Sequence, residues 1–268
     1  MVIHEMTTKL VPLDLPEGDE SPLERSPLTL VVAQIRHERL LDAASPTRAL
    51  SIRASLGEVE GELSEHRQQV MMVVAGPGVG TAESSEGPSG WQLTSADGTS
   101  TTVIQQEFFS IETTAYTTWA DFRARLAALI DGVAANLQPK IEQRVGLRYI
   151  DTISHSSVGT PADWSGLIDA DLLGALGRGP LAGSVRASQQ ILEIEGSNGV
   201  RVNLRHGSQI APTGPKPMYL LDLDCYVQAG RRFEAATVLA ALDDLHSVAL
   251  RLFQSCITPE LLTELSGS

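Results

Sequence analysis

An antiparallel α+β fold follows from three observations in the sequence. Two Asx-Gly pairs, Asp97-Gly98 and Asn198-Gly199, each stand between stretches of alternating residues. That combination marks a β-hairpin, because Asn, Asp and Gly tolerate the positive φ angles of a tight turn. Two long segments repeat apolar residues every three or four positions. The first runs through Trp119, Phe122, Leu126, Leu129, Val133 and Leu137, the second through Val238, Leu242, Leu245, Ala249, Leu252 and Cys256. Each stripe is one face of an amphipathic helix. Residues 143–153 form the clearest strand, with Val145, Leu147 and Tyr149 on one face and Arg144, Arg148 and Ile150 on the other. The order hairpin, strand, long helix occurs twice, over residues 91–137 and 191–256. The prediction is therefore an antiparallel sheet, or sheets, from two related hairpin-strand-helix units, with the long helices packed on one face.

Taken in order, residues 1–26 are polar and acidic and contain Pro12, Pro16 and Pro22, which predicts a flexible arm. The first unit then spans 27–142 and the second 143–268, together one compact body. Residues 28–35 are almost continuously apolar, as in a strand covered on both faces or at a sheet centre, or in a seam between two copies of the chain. Residues 49–56 fit a short strand or a short helix, and 70–75 a strand. Residues 76–80, Gly-Pro-Gly-Val-Gly, and the Ser, Glu and Gly-rich stretch 81–90 read as a surface loop. A phosphate-binding loop would need a following Lys-Ser or Lys-Thr pair and a helix start, and neither is present in that sequence. A strand is expected at 107–113. Thr117 and Thr118 cap the first long helix, with Asp121 in its first turn and Pro139 limiting its end. Residues 160–183 hold a short helical pattern weakened by Gly166, Gly174 and Gly177. A proline-rich loop at 211–217 leads into a strand at 218–227. The final helix has Thr258 as N-cap and Pro259 at its first position.

The 268 residues carry a formal net charge of −13 and 20% charged side chains. Such a field repels nucleic-acid backbones, unless exposed arginines gather on one side, and suits a basic or partly unfolded client. Cys225 and Cys256 lie in apolar patterns and read as buried thiols. No basic segment followed by an apolar one opens the chain, and no run approaches the roughly 18 apolar residues of a membrane span. A cytoplasmic, membrane-free protein is the simplest expectation.

Chemistry is concentrated on the second face of the central strands. Asp222, Asp224 and Tyr226 share one face of their strand, the two carboxylates about 7 Å apart by strand geometry. If the sheet is continuous, that face meets Arg144 and Arg148, with Arg201 and Arg205 beyond. A structural ladder of ion pairs is the plainer reading, and a binding surface made of Arg144, Arg148, Asp222, Asp224 and Tyr226 the sharper one. Paired carboxylates also serve divalent cations or acid-base work. The six histidines have no metal-ligand spacing, so no metal and no cofactor is expected. His246 reads as a helix-surface residue, and Tyr116, Trp119 and Phe122 as helix entry and core. No Gly-x-Ser-x-Gly elbow with the right context occurs, and no catalytic residue is assigned. The expected function is a non-enzymatic accessory, immunity or chaperone-like protein that binds a protein or peptide. The alternative is a small-molecule binder or enzyme using the charged face. A homodimer is left open.

Five stretches also carry a resemblance: 27–36, 116–122, 144–153, 221–226 and 253–261. On these the chain resembles a sporadically distributed family of uncharacterised bacterial proteins of about this length. Members of that family typically have Asn where this chain has Asp151. The resemblance implies the same architecture and supplies no catalytic residues. At the level of fold, the sheet-then-helix order and the acidity are also similar to those of the SecB-like chaperones.

Overall fold

The computed structural model describes residues 15–57, 60–72, 83–177, 181–196, 199–210 and 216–267. Residues 1–14 of the expected arm, the expected loop at 76–80, most of the proline-rich loop and the turn residues Ser197 and Asn198 lie outside them. The strands are β1 (Leu28–His37), β2 (Glu60–Met72), β3 (Glu83–Ser95), β4 (Ser100–Ile104), β5 (Phe108–Thr113), β6 (Ile141–Ile153), β7 (Gln190–Glu195), β8 (Val200–Ile210) and β9 (Pro217–Arg232). The helices are α1 (Pro46–Leu56), α2 (Trp119–Asn136), α3 (Ala170–Leu173), α4 (Ala235–Cys256) and α5 (Pro259–Leu265). The fold is α+β, and its described strands make one nine-stranded sheet in the order β2-β3-β4-β5-β1-β6-β9-β8-β7, every neighbouring pair antiparallel.

This order contains its own repeat. Leaving β1 one crosses β5, β4 and β3; leaving β6 one crosses β9, β8 and β7. The two series meet at β1 and β6, where Val31 pairs with Tyr149, Ala33 with Leu147 and Ile35 with Val145. The residues 28–35 are thus a central strand with a neighbour on each edge, which leaves no edge for pairing with a second copy. The helix stripes repeat too. Phe122, Leu126, Leu129 and Val133 are buried in α2, and Val238, Leu242, Leu245 and Ala249 are buried at the same spacing in α4. These stripes and the inward residues of the strands form one apolar layer, because a sheet covered on one face must bury alternate side chains. Cys225 and Cys256 are free and buried in it. Among the described residues no helix is long and apolar enough to cross a membrane.

Local sequence explains most boundaries. At the start of α2, Thr118 Oγ1 accepts from the Asp121 backbone N–H at 3.1 Å and donates to the Asp121 carboxylate at 2.7 Å. Both halves of the cap are lost in Thr118→Ala, which should lower stability by about 1 kcal/mol, read from urea unfolding. Gly98 takes φ 71° in the β3-β4 turn, where a side chain would be strained. Residues 49–56 lie in α1, which opens on Pro46.

The expected surface loop is in large part a strand. The stretch 81–90 was expected to be a surface loop, yet from Glu83 onward it is β3, paired along β2 from Met72↔Glu83 to Glu60↔Ser95. Composition misleads here because the proline sits where the ladder is broken. The register shifts between Arg67↔Ser89 and Gln69↔Glu86, so Pro88, which has no N–H to donate, falls in the bulge. The described part of the expected arm lies on the body. Asp19 N–H donates to Gln254 Oε1 at 2.9 Å, Arg25 N–H to the Leu265 carbonyl at 2.9 Å, and Leu15 and Leu23 pack on the apolar layer.

Candidate functional site: the open face of the sheet

Strand partners in an antiparallel pair share a face, so the register lays out the side of the sheet away from the apolar layer. Across β5, β1, β6, β9 and β8 its rows read Phe108, Arg36, Arg144, Gln228; then Ser110, Gln34, Gly146, Tyr226, Arg201; then Glu112, Val32, Arg148, Asp224, Asn203; and, from β1 onward, Leu30, Ile150, Asp222, Arg205. All five predicted residues, Arg144, Arg148, Asp222, Asp224 and Tyr226, stand on this one surface.

They are joined by ion pairs. Arg148 grips Asp222 with two parallel bonds, Nε to Oδ1 at 2.6 Å and Nη2 to Oδ2 at 2.7 Å. This fork-to-carboxylate geometry is the strong form of the interaction. Hydrogen bonding to Asp222 raises the Arg148 pKa further above its ordinary value. Arg205 approaches the same carboxylate at 3.5 Å. Arg144 Nη2 donates to both oxygens of Asp224, at 2.9 and 3.1 Å. Its guanidinium lies over the Tyr226 ring, 4.4 Å from the centroid, a cation-π contact. To get there it crosses Gly146, where an added Cβ would collide with its Nη1. Gly146 is small so that Arg144 can lie flat along the sheet.

Burial across these pairs is uneven. The Asp222 side chain is 6% exposed, whereas Arg148 is 39% and Arg205 47% exposed. Asp222 sits at the bottom of the face below Arg148 and Arg205, whereas in the other pair Arg144 is 20% and Asp224 28% exposed. In the four rows five arginines, Arg36, Arg144, Arg148, Arg201 and Arg205, stand with Asp222, Asp224 and Glu112, and Arg36 and Arg201 approach Glu107 and Glu195 at 3.8 and 3.5 Å. An arginine-rich stripe thus lies on a chain whose net charge is −13. Val32, Ile150, Phe108 and Tyr226 are half-buried between the charges.

The opposite side holds polar clusters that sequence reasoning missed. His246, expected on the helix surface, is stacked on Trp119 with centroids 4.4 Å apart and an interplanar angle of 9°. Its Nδ1 lies 2.8 Å from the Tyr149 hydroxyl. Burial pulls the imidazole down to about 4, so it is neutral at pH 7. Trp119 Nε1 donates to Asp243 at 3.0 Å, and Arg123 forks onto the same carboxylate at 2.6 and 2.9 Å. The signal was the spacing: His246 stands four residues after Leu242 and borders the buried stripe. Trp119 and Phe122 do form the helix entry and core contacts expected of them. At the far end of the seam His37, Glu142 and Arg231 share a row, with Arg231 Nε 3.1 Å from Glu142 Oε1. Burial pushes the Glu142 carboxyl up. Beside them a cavity of about 590 Å³ opens between the end of α2 and the start of α4, lined in part by Lys140, Arg232 and Phe233. Among the described residues no three His, Cys, Asp or Glu side chains are placed to hold a metal ion.

No protein-family model and no curated protein matches the chain. The functional reading therefore stands on the geometry.

Proposed function

We propose that this chain is a non-enzymatic protein-binding accessory protein, of the immunity, assembly or chaperone-like kind, that works in the cytoplasm. Its working surface is the open face of the sheet, and the segment it holds is acidic. The single observation that carries this reading is the stripe of partly exposed arginines on one face of an otherwise acidic chain. Acidity alone suits a basic client, but this face gathers five arginines, of which Arg148 and Arg205 are 39% and 47% exposed. Arginine and tyrosine are the residue types that carry binding energy at protein interfaces, through large, stiff, amphipathic side chains. Half-buried Val32, Ile150 and Phe108 supply apolar contact between the charges. Asp222 and Asp224 hold the guanidinium groups in place before a partner arrives, which lowers the ordering cost of binding. The same aspartates interrupt the stripe, which favours a peptide with spaced carboxylates over a continuous phosphate backbone.

The test is fluorescence anisotropy with a labelled peptide in which glutamates alternate with apolar residues, against the same peptide with lysines and against a single-stranded oligonucleotide. The acidic peptide should bind, and its affinity should fall as salt rises to about 0.3 M. Replacing Arg36, Arg201 and Arg205 together by Glu should weaken it at least about tenfold. Acidic-peptide binding that this triple replacement leaves unchanged, or binding of the oligonucleotide alone, would reject the reading.

A further inference from the structure

The repeat within the sheet is unequal at its outer ends. In the first unit β3 is flanked on its outer side by β2, paired over Glu62↔Thr94, Leu63↔Leu93 and Ser64↔Gln92. Among the described residues its counterpart β7 is the last strand of the sheet and pairs with β8 alone. No described strand fills, beside β7, the place that β2 fills beside β3. The open edge also exposes apolar side chains. Ile191 is 60% and Leu192 39% exposed, beside the exposed Glu193 and Glu195, the charges that ordinarily keep an edge strand from unselective pairing.

The ladder identifies which backbone groups face outward. Just before β7, Ser188 N–H donates to the Ser208 carbonyl at 2.8 Å; just after it, Gly196 N–H donates to the Val200 carbonyl at 2.8 Å. Hydrogen-bonded pairs recur at every second residue of an antiparallel ladder, and β7 pairs with β8 without a register shift. Gln190, Leu192 and Ile194 therefore spend their N–H and C=O groups on β8. Ile191, Glu193 and Glu195 turn theirs to the open edge. The side chains of these three lie on the arginine face, as the partners Arg205, Asn203 and Arg201 do, while Leu192 and Ile194 lie on the other.

We infer that the outer edge of β7 is a strand-accepting site that takes an extended segment of a protein partner, in which basic residues alternate with apolar ones. Backbone groups of Ile191, Glu193 and Glu195 hold the incoming strand, as β2 is held along β3. The exposed carboxylate of Glu193 selects a basic side chain on the arginine-bearing face, where Glu195 lies 3.5 Å from Arg201, and Leu192 and Ile194 receive apolar ones on the other. This site adjoins the arginine stripe through that pair and has the opposite charge preference.

The probe is a soluble peptide of alternating valine and lysine, with a valine-glutamate peptide as control. The lysine peptide should bind, and hydrogen exchange followed by NMR should slow at the amides of Ile191, Glu193 and Glu195 but not at those of Leu192 and Ile194. Glu193→Pro removes one outward donor without touching a bond to β8, so it should keep the melting temperature and weaken the peptide at least about tenfold. Binding without that alternating protection would overturn the inference. So would the same alternating protection produced by the glutamate peptide, whose binding at the arginine stripe leaves these amides unprotected. If the chain proves dimeric by light scattering and Glu193→Pro makes it monomeric, with no peptide bound, the occupant is a second copy and the inference as stated fails.

Discussion

Asp151→Asn should stabilise the chain by on the order of 4 kcal/mol at about pH 8, and leave it nearly unchanged at about pH 4. Asp151 lies near the end of β6, opposite Leu28 and Leu221, on the face that holds the apolar layer. It is 4% exposed, and its charge reaches Tyr149 and Cys256. Burial pushes its carboxyl from 3.8 up to about 7. A carboxylate held by arginine is stabilised above its unfolded pKa, but Asp151 is the reverse case. Its folded pKa is raised, so the folded state holds the proton more tightly than the unfolded chain does. The stability linked to it is fully present below about pH 4 and is lost as pH rises through about 7. Each decade of proton affinity is worth about 1.4 kcal/mol, and roughly three decades separate the two states. Asparagine keeps the shape and has no proton to lose. Urea unfolding of both proteins across this range gives the difference directly. Parallel stability curves from acid to neutral pH would show that Asp151 is not the group that sets the slope.

The same residue shows where the sequence is readable and where it is not. Alternation in 143–153 places Asp151 on the apolar side, with Val145, Leu147 and Tyr149, and that much was legible. Its burial depends on α4 ending above it, with Cys256 close by, and no local pattern reports that. The two hairpins and the two stripes were legible because each is a short-range signal: Asp97-Gly98 fixes one turn, and Leu126 and Leu129 fix one helix face. The pairing of β1 with β6 was not, because it joins residues more than a hundred positions apart and depends on both units being folded. The charged face was anticipated in membership but not in geometry. Arg148 stands opposite Asp224, yet it binds Asp222, and Arg144 passes over Gly146 to reach Asp224. The pairs run diagonally because a guanidinium is longer than the spacing between strands. His246 was misplaced because a histidine at the border of a stripe packs or dissolves according to its neighbour, and here that neighbour, Trp119, comes from the other helix.

Arg148→Ala should cost about 2 kcal/mol, and Asp222→Ala clearly less. Removing the arginine leaves a carboxylate with a side chain only 6% exposed, with Arg205 at 3.5 Å as its remaining ion-pair partner. Removing the carboxylate leaves two guanidinium groups that are 39% and 47% exposed and that water can still solvate. The same exposure screens the pair and holds the cost below that of breaking a fully buried ion pair. The double variant Arg148→Met with Asp222→Leu should recover most of the loss, because it leaves no charge unpaired and adds apolar contact beside Ile150. This cycle, measured by urea unfolding and by binding of the acidic peptide, separates the two meanings of the ladder. Were the ion pairs only structural, the apolar double variant would keep both stability and binding. If they present arginine to a partner, it keeps its stability and loses the peptide, since a methionine at 148 can pack but cannot meet a carboxylate.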